Sequence, residues 1–292
     1  MDRTGLPAHL LLLGFGRLCR ALPSRSAPVL AGALAWLAGD VARLRRRVVD
    51  RQIAACYPEL DRGGRARLAR SVYRHLACTL VEALQGPGRE PAVAVEPGWR
   101  ALDEALAGGR GAIVASAHLG NFELGGRVLA RRYRLLDVVK PLRNRRVDDW
   151  LQAQRHAHGI ATVPVDGAAA AVLAHLRGGG LVSLLLDQDA GAAGVRIPFL
   201  GREASAWSGA ARFSLQTGCP VVPMGILRQP DGAHVLHVGT ALHPSGRAAD
   251  EAGIRDYTAA ISAEVEVIVR RDPAQWFWVH RRWKEAERAG RR

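Results

Sequence analysis

From residue 111 onward, apolar runs of five to eight residues alternate with segments of helical periodicity. The runs are 111–116, 135–139, 161–165, 181–186, 220–227 and 234–238. The helical stretches between them are 121–132, 146–158, 168–177 and 206–217. A strand buried on both faces reads as a continuous apolar run, and a covering helix reads with a period near 3.6. The alternation therefore predicts an α/β fold, a largely parallel mixed sheet covered by helices on both faces. Gln229-Pro230-Asp231-Gly232 predicts a turn joining the last two strands as an antiparallel hairpin. A closing helix is expected over 250–271, with Ile254, Tyr257, Ile261, Val265 and Ile268 on one face.

The first 90 residues read differently. An apolar stretch at 5–22 is interrupted by Arg17 and Arg20, and a second, 27–39, is only 13 residues long. A helix that spans a bilayer needs about 20 mostly apolar residues. Two helices are expected here, at least one lying in a membrane interface. Packing into the core of a soluble protein accounts for the same pattern. Ser26 and Pro28 mark the start of a helix predicted to run to about 56, where Tyr57-Pro58 stops it. Asp61 can cap the next helix, with Leu68, Val72, Leu76, Leu80 and Leu84 on a stripe. Residues 86–98 read as a loop. The expected organisation is a helical, membrane-associating region at 1–90 and an α/β catalytic region at 91–292, within one structural domain.

The formal charge is +14, almost all from arginine, since Lys140 and Lys284 are the only lysines. Such a field suits nucleic acid, anionic lipid or an acidic carrier protein, and a solvated basic surface accounts for it equally. The four cysteines, 19, 56, 78 and 219, lack the short spacing of a zinc or redox motif.

Four features carry chemistry. Ala115 to Glu123 reads ASAHLGNFE and joins a buried strand to a helix. A histidine at a strand end lies where ligands bind in open α/β sheets. If the turn brings His118 and Glu123 together, the carboxylate can orient the imidazole while the other nitrogen takes a proton from a hydroxyl. Amides at the helix start can stabilise an oxyanion. A structural histidine beside an unrelated glutamate fits the spacing as well. Asp187-Gln188-Asp189 closes another strand and enters a Gly/Ala-rich loop. This suits a site wall, a hard-metal ligand pair or plain turn chemistry. Lys140 to Arg146 reads KPLRNRR, with Arg155 beyond, and suits phosphate or carboxylate recognition or a solvated loop. Residues 273–284, PAQWFWVHRRWK, hold three of the seven tryptophans. Interfacial contact, stacking on bases and a packed C-terminal helix all explain them.

In this order and spacing the features resemble the late acyltransferases of lipid A biosynthesis, the lauroyl/myristoyl transferases. That family sits in a wider group with the glycerolipid and phosphatidylinositol mannoside acyltransferases. The resemblance covers almost the whole chain. It runs through Tyr57 to Leu60, Val81-Glu82, His118 to Glu123, Lys140 to Asn144, Arg155, Gly159, Asp187-Gln188, Pro198 to Gly201, Ala204 to Gly209, Pro223, Arg228 and Gln275 to Lys284. It implies an O-acyltransferase with His118 as general base and Glu123 orienting it. Arg155, Asp187, Gln188, Lys140, Asn144 and Arg228 would bind substrate, and the loop 198–209 would shape the acyl or headgroup pocket. It implies no cofactor, no metal and no acyl-enzyme. The donor would be an acyl thioester on acyl carrier protein or coenzyme A. The acceptor would be a hydroxyl of a lipid A precursor or related membrane glycolipid, with a phosphatidylinositol mannoside or lysophospholipid as the alternative. The enzyme would sit on the cytoplasmic face of the inner membrane, peripheral or single-pass, with an anionic lipid surface as partner and no specific nucleic acid. Two alternatives from other classes are a metal-dependent hydrolase built on His118, Glu123, Asp187 and Asp189, and a nucleic-acid-binding module.

Overall fold

The computed structural model describes residues 6–85 and 88–285. Four helices come first: α1 (Leu6–Ala21), α2 (Ala27–Trp36), α3 (Arg46–Cys56) and α4 (Arg62–Gln85). The remainder alternates: β1 (Val93–Glu96), α5 (Arg100–Ala107), β2 (Ala112–Ser116), α6 (Phe122–Ala130), β3 (Leu135–Val139), α7 (Arg145–Ala157), β4 (Ala161–Pro164), α8 (Ala168–Arg177) and β5 (Leu181–Leu185). Then follow β6 (Val195–Phe199), β7 (Arg202–Ala206), α9 (Gly209–Thr217), β8 (Val221–Arg228), β9 (His234–Val238) and α10 (Glu251–Arg271).

The sheet has seven strands in the order β1-β9-β8-β2-β5-β3-β4. The five from β8 to β4 run parallel, while β9 pairs antiparallel with β8 through the expected turn and β1 pairs parallel with β9. Strand alternation divides the core. Ile113 and Ala115 of β2 face a layer that holds α8, α9 and α10. Ala112 and Val114 face α5 and α6. The predicted α/β sandwich, mixed and largely parallel, is thus the observed one.

Several local expectations change. The helix expected over 27–56 is broken. A π-helical turn at Leu37–Val41 follows α2, Arg43 and Arg45 adopt positive φ, and the two halves meet at 88°. Tyr73 of α4 causes the break. Its ring leaves no room for a Cβ at Gly39, and its hydroxyl donates to the Leu44 carbonyl at 2.5 Å. Tertiary packing here overrides a pattern that reads as continuous helix. The stretch expected as loop contains β1, whose alternate burial was masked by flanking prolines. Gly86 and Pro87 lie outside the described residues. Within the Gly-rich stretch after Asp187, β6 and β7 form a hairpin packed on α10. Among the described residues no single helix is long and apolar enough to cross a membrane.

Candidate active site

Parallel register builds the site. Ser116, the last residue of β2, stands opposite Leu185, the last of β5, and the Leu186 amide donates to the Ser116 carbonyl at 2.9 Å. Two residues farther along each chain, His118 and Asp187 face each other at the carboxyl edge of the sheet. His118 Nδ1 lies 2.8 Å from Asp187 Oδ1. Asp187 Oδ2 accepts from the His118 amide at 3.0 Å and from Trp276 Nε1 at 2.8 Å. Three donors thus converge on one buried carboxylate. Burial alone would raise its pKa, but the imidazole charge and these bonds hold it down at about 2.

A charged carboxylate at Nδ1 fixes the tautomer. Nδ1 carries the proton, and Nε2 keeps its lone pair. For the imidazole itself, burial lowers the pKa, but the Asp187 charge and hydrogen bond, aided by Glu123, outweigh it and the net shift is upward. Phe122 and Phe277 hold the ring, at centroid distances of 5.0 and 5.9 Å. The Gln188 carboxamide nitrogen lies 3.4 Å from Nε2.

Glu123 does not orient His118, contrary to expectation. Its oxygens take a two-pronged pair from Arg155 of α7, Nε at 3.1 Å and Nη2 at 2.5 Å. Glu123 is the second residue of α6, which follows the turn at Gly120. Gly120 has φ +56°, and a Cβ there would strike the Ile226 carbonyl, so glycine alone suits this turn. Under the Glu123–Arg155 pair lies Asp137 of β3, whose Oδ1 is buried without a partner. Burial, with Glu123 nearby, pushes its pKa up to about 7.

The remaining expected residues divide by position. Asn144 caps α7, accepting from the Val147 amide at 3.3 Å, and Lys140 is exposed beyond β3 on the same sheet edge. Arg228 is turned inward. It forks onto Glu82 of α4 at 2.8 and 2.7 Å, and Glu82 also accepts from Asn121, the cap of α6, at 2.9 Å. Burial would raise the Glu82 pKa, but His234 and Arg228 bring it to about 2. The loop 198–209 covers the end of β6, all of β7 and the start of α9. Its Phe199 packs on Trp276, 5.6 Å between centroids, and none of its residues lines the cavity beside His118.

The Trp-rich segment faces inward, since Trp276, Trp278 and Trp283 are 2%, 0% and 1% exposed. Interfacial contact and base stacking are thereby ruled out for these rings; they close the core, though as an irregular strap rather than a helix. The strap binds both sides of the dyad. The Phe277 amide donates to the His118 carbonyl at 3.0 Å, and the Gly120 amide donates to the Gln275 carbonyl at 3.0 Å. Sequence reading missed His280 and Arg282 as site neighbours. Arg282 Nη1 donates to the Gln188 carbonyl at 3.0 Å, and the Asp189 amide donates to His280 Nε2 at 3.1 Å. The only early signal was the presence of basic residues among buried-type aromatics.

Beside His118 lies a cavity of about 310 Å³. Leu12 of α1, Leu76, Leu80 and Leu84 of α4, and Val147 and Trp150 of α7 form its apolar wall. The four side chains that a metal-dependent hydrolase would need do not converge. Among the described residues no three His, Cys, Asp or Glu groups come close enough to hold an ion. Glu123 is committed to Arg155, and Asp187 to three N–H donors.

Known proteins resemble this chain in sequence along most of its length. A phosphatidylinositol mannoside acyltransferase of Mycolicibacterium smegmatis is 26% identical over 91% of this chain and 88% of its own length. The lipid A biosynthesis palmitoleoyltransferase of Escherichia coli is 24% identical over 84% of this chain and 82% of its own length. The lauroyltransferase of the same organism is 25% identical over 82% and 79%. The model of the bacterial lipid A biosynthesis acyltransferases matches residues 5–285, and with a histidine–carboxylate dyad beside an apolar cavity this chain belongs to that family.

Proposed function

We propose that this acyltransferase moves a fatty acyl chain from a thioester to a hydroxyl of a lipid A precursor or related glycolipid. The observation that carries the reading is the juxtaposition of a tautomer-fixed imidazole with an apolar cavity large enough for a chain. The acceptor oxygen attacks the thioester carbon while Nε2 takes its proton. The C=O pair moves onto oxygen. As that pair returns, the C–S bond breaks and the thiolate takes the proton from the imidazolium. Asp187 stabilises the imidazolium between the two transfers. No side chain forms a covalent intermediate in this scheme.

Charge and exposure support a reading of donor and location. The +14 charge favours an acidic carrier protein, and Lys140, Arg143, Arg145 and Arg146 are exposed on the edge that holds His118. Coenzyme A, with its phosphates, suits the same cations. Leu10 and Leu11 of α1 are 56% and 73% exposed, Val29 of α2 75% and Trp36 61%. Exposed apolar side chains this dense, in α1, which lines the cavity, and in α2, which packs on α4, support a membrane surface as the place of work. With arginines around them, they suit the anionic cytoplasmic face of the inner membrane. A phosphatidylinositol mannoside acceptor is the second reading, favoured by the full-length likeness to such an enzyme.

Purified wild type should transfer acyl groups from acyl carrier protein or coenzyme A thioesters to one of these acceptors. His118→Ala should abolish transfer while melting at the wild-type temperature. Near-normal turnover in that variant would refute the mechanism. Lipid mass spectrometry of a deletion strain should show one acyl group missing from one lipid class, and that class names the acceptor.

A further inference from the structure

We propose that Gln188 is a catalytic residue whose carboxamide N–H donates to the thioester oxygen as that oxygen takes up negative charge. The proposal rests on the transfer mechanism above. Acyl transfer to a hydroxyl places the base, the acceptor oxygen and the carbonyl within a few ångströms of one another. A donor for the oxyanion must therefore stand near the base nitrogen without blocking it. The Gln188 nitrogen is 3.4 Å from Nε2. Because Nε2 presents a lone pair, the end of the carboxamide that faces it is the N–H end. At that length the bond is weak, and an incoming hydroxyl displaces it readily.

Three amides at the turn after β2, where donors are expected, are spent. The Leu119 amide is bonded to the Ala117 carbonyl, Gly120 to the Gln275 carbonyl and Leu124 to the Asn121 side chain. The main chain around Gln188, by contrast, is pinned at three successive residues. Asp187 takes three donors, Arg282 holds the Gln188 carbonyl, and His280 holds the Asp189 amide. Arg282 is 1% exposed, and its Nη1 spends its hydrogen bonds on two carbonyls, those of Gln188 and Ser205. A buried cation is expensive to place there. Holding this one turn rigid is a use that matches the cost, since a donor counts in catalysis only when it is already aimed.

In the step, the acceptor oxygen bonds to the thioester carbon, its proton goes to His118 Nε2, and the C=O pair moves to the oxygen that Gln188 faces. The pair returns as the C–S bond breaks and the thiolate leaves with the proton.

The test uses full-length protein, a dodecanoyl thioester of acyl carrier protein, and a lipid A precursor or phosphatidylinositol mannoside, whichever wild type acylates. Gln188→Ala should lower kcat about 10²–10³-fold, the usual loss for one oxyanion donor, with KM changed less than about twofold. The acid limb of kcat should stay where it is, because Nε2 is occupied by the hydroxyl in the complex. Gln188→Glu should lose more, since it sets a carboxylate against the forming anion. A residue that only braced the imidazole would move the acid limb, and that result overturns the proposal. So does kcat within about tenfold of wild type in Gln188→Ala when His118→Ala is dead. Retained turnover in His118→Ala instead overturns the base assignment beneath it, and melting curves of all three variants separate either result from misfolding.

Discussion

Two charged pairs stand at the carboxyl edge of the sheet and differ in kind. His118–Asp187 joins the ends of adjacent parallel strands, and Trp276 adds a third donor. Glu123–Arg155 joins two helices, α6 to α7, with both side chains about one-sixth exposed or less, 16% and 13%. The first pair leaves one nitrogen open for chemistry. The second spends its hydrogen bonds on itself. A spacing of five residues makes His118 and Glu123 look like partners, but strand register, which spacing does not encode, selects Asp187. The difference teaches that the helix pair ties α6 to α7 and so to the cavity wall, while the strand pair leaves a nitrogen free for the proposed proton transfers.

The comparison breaks most sharply at Asp187. Asp187→Asn should cut kcat by about 10²–10⁴-fold, the range for general-base catalysis, because the imidazole loses its tautomer and its counter-charge. The wild-type acid limb should lie above the ordinary imidazole value of 6.5, since His118 is raised and only its neutral form accepts the proton. In Asp187→Asn that limb should fall. A limb left unmoved, with full turnover, would return the orienting role to Glu123.

Arg155→Met tests the other pair through stability. It strands Glu123 beside Asp137 with no cation, so unfolding free energy should drop by about 3–5 kcal/mol. The double variant Glu123→Gln with Arg155→Met should recover much of that, as measured by urea unfolding. Full additivity of the two losses would show that the pair is not coupled. The smallest effect is expected for Glu123→Gln on the pH profile. Glu123 contributes to the upward shift of His118, so the acid limb should move down, by less than in Asp187→Asn.

Much of this arrangement was legible in the sequence. The six apolar runs became strands because a continuous apolar run bounded by turns is a local property. His118, at the end of one, and Asp187, at the end of another, both lie where a parallel sheet gathers ligands. Their pairing was not legible, because it depends on β5 inserting beside β2 ahead of β3. β1 escaped notice because it is four residues long with prolines nearby. The break after α2 escaped because its cause, the Tyr73 ring against Gly39, acts from more than thirty residues away. Arg228 read as a ligand contact for the reason that buried ion pairs always deceive. An arginine near a cleft carries no mark of which carboxylate it answers, and here it answers Glu82 of α4.

The strap over the dyad sets an order of events during synthesis. Gln52 of α3 donates to the Trp278 and His280 carbonyls, a link across 226 and 228 positions, and Trp276 reaches Asp187 across 89. A growing chain completes α1 and α2 long before it has made residue 276. The dyad acquires its third donor only after the strap arrives and docks. Under the proposed membrane reading, delivery to lipid therefore precedes competence, and the chain reaches its substrates before it can act on them.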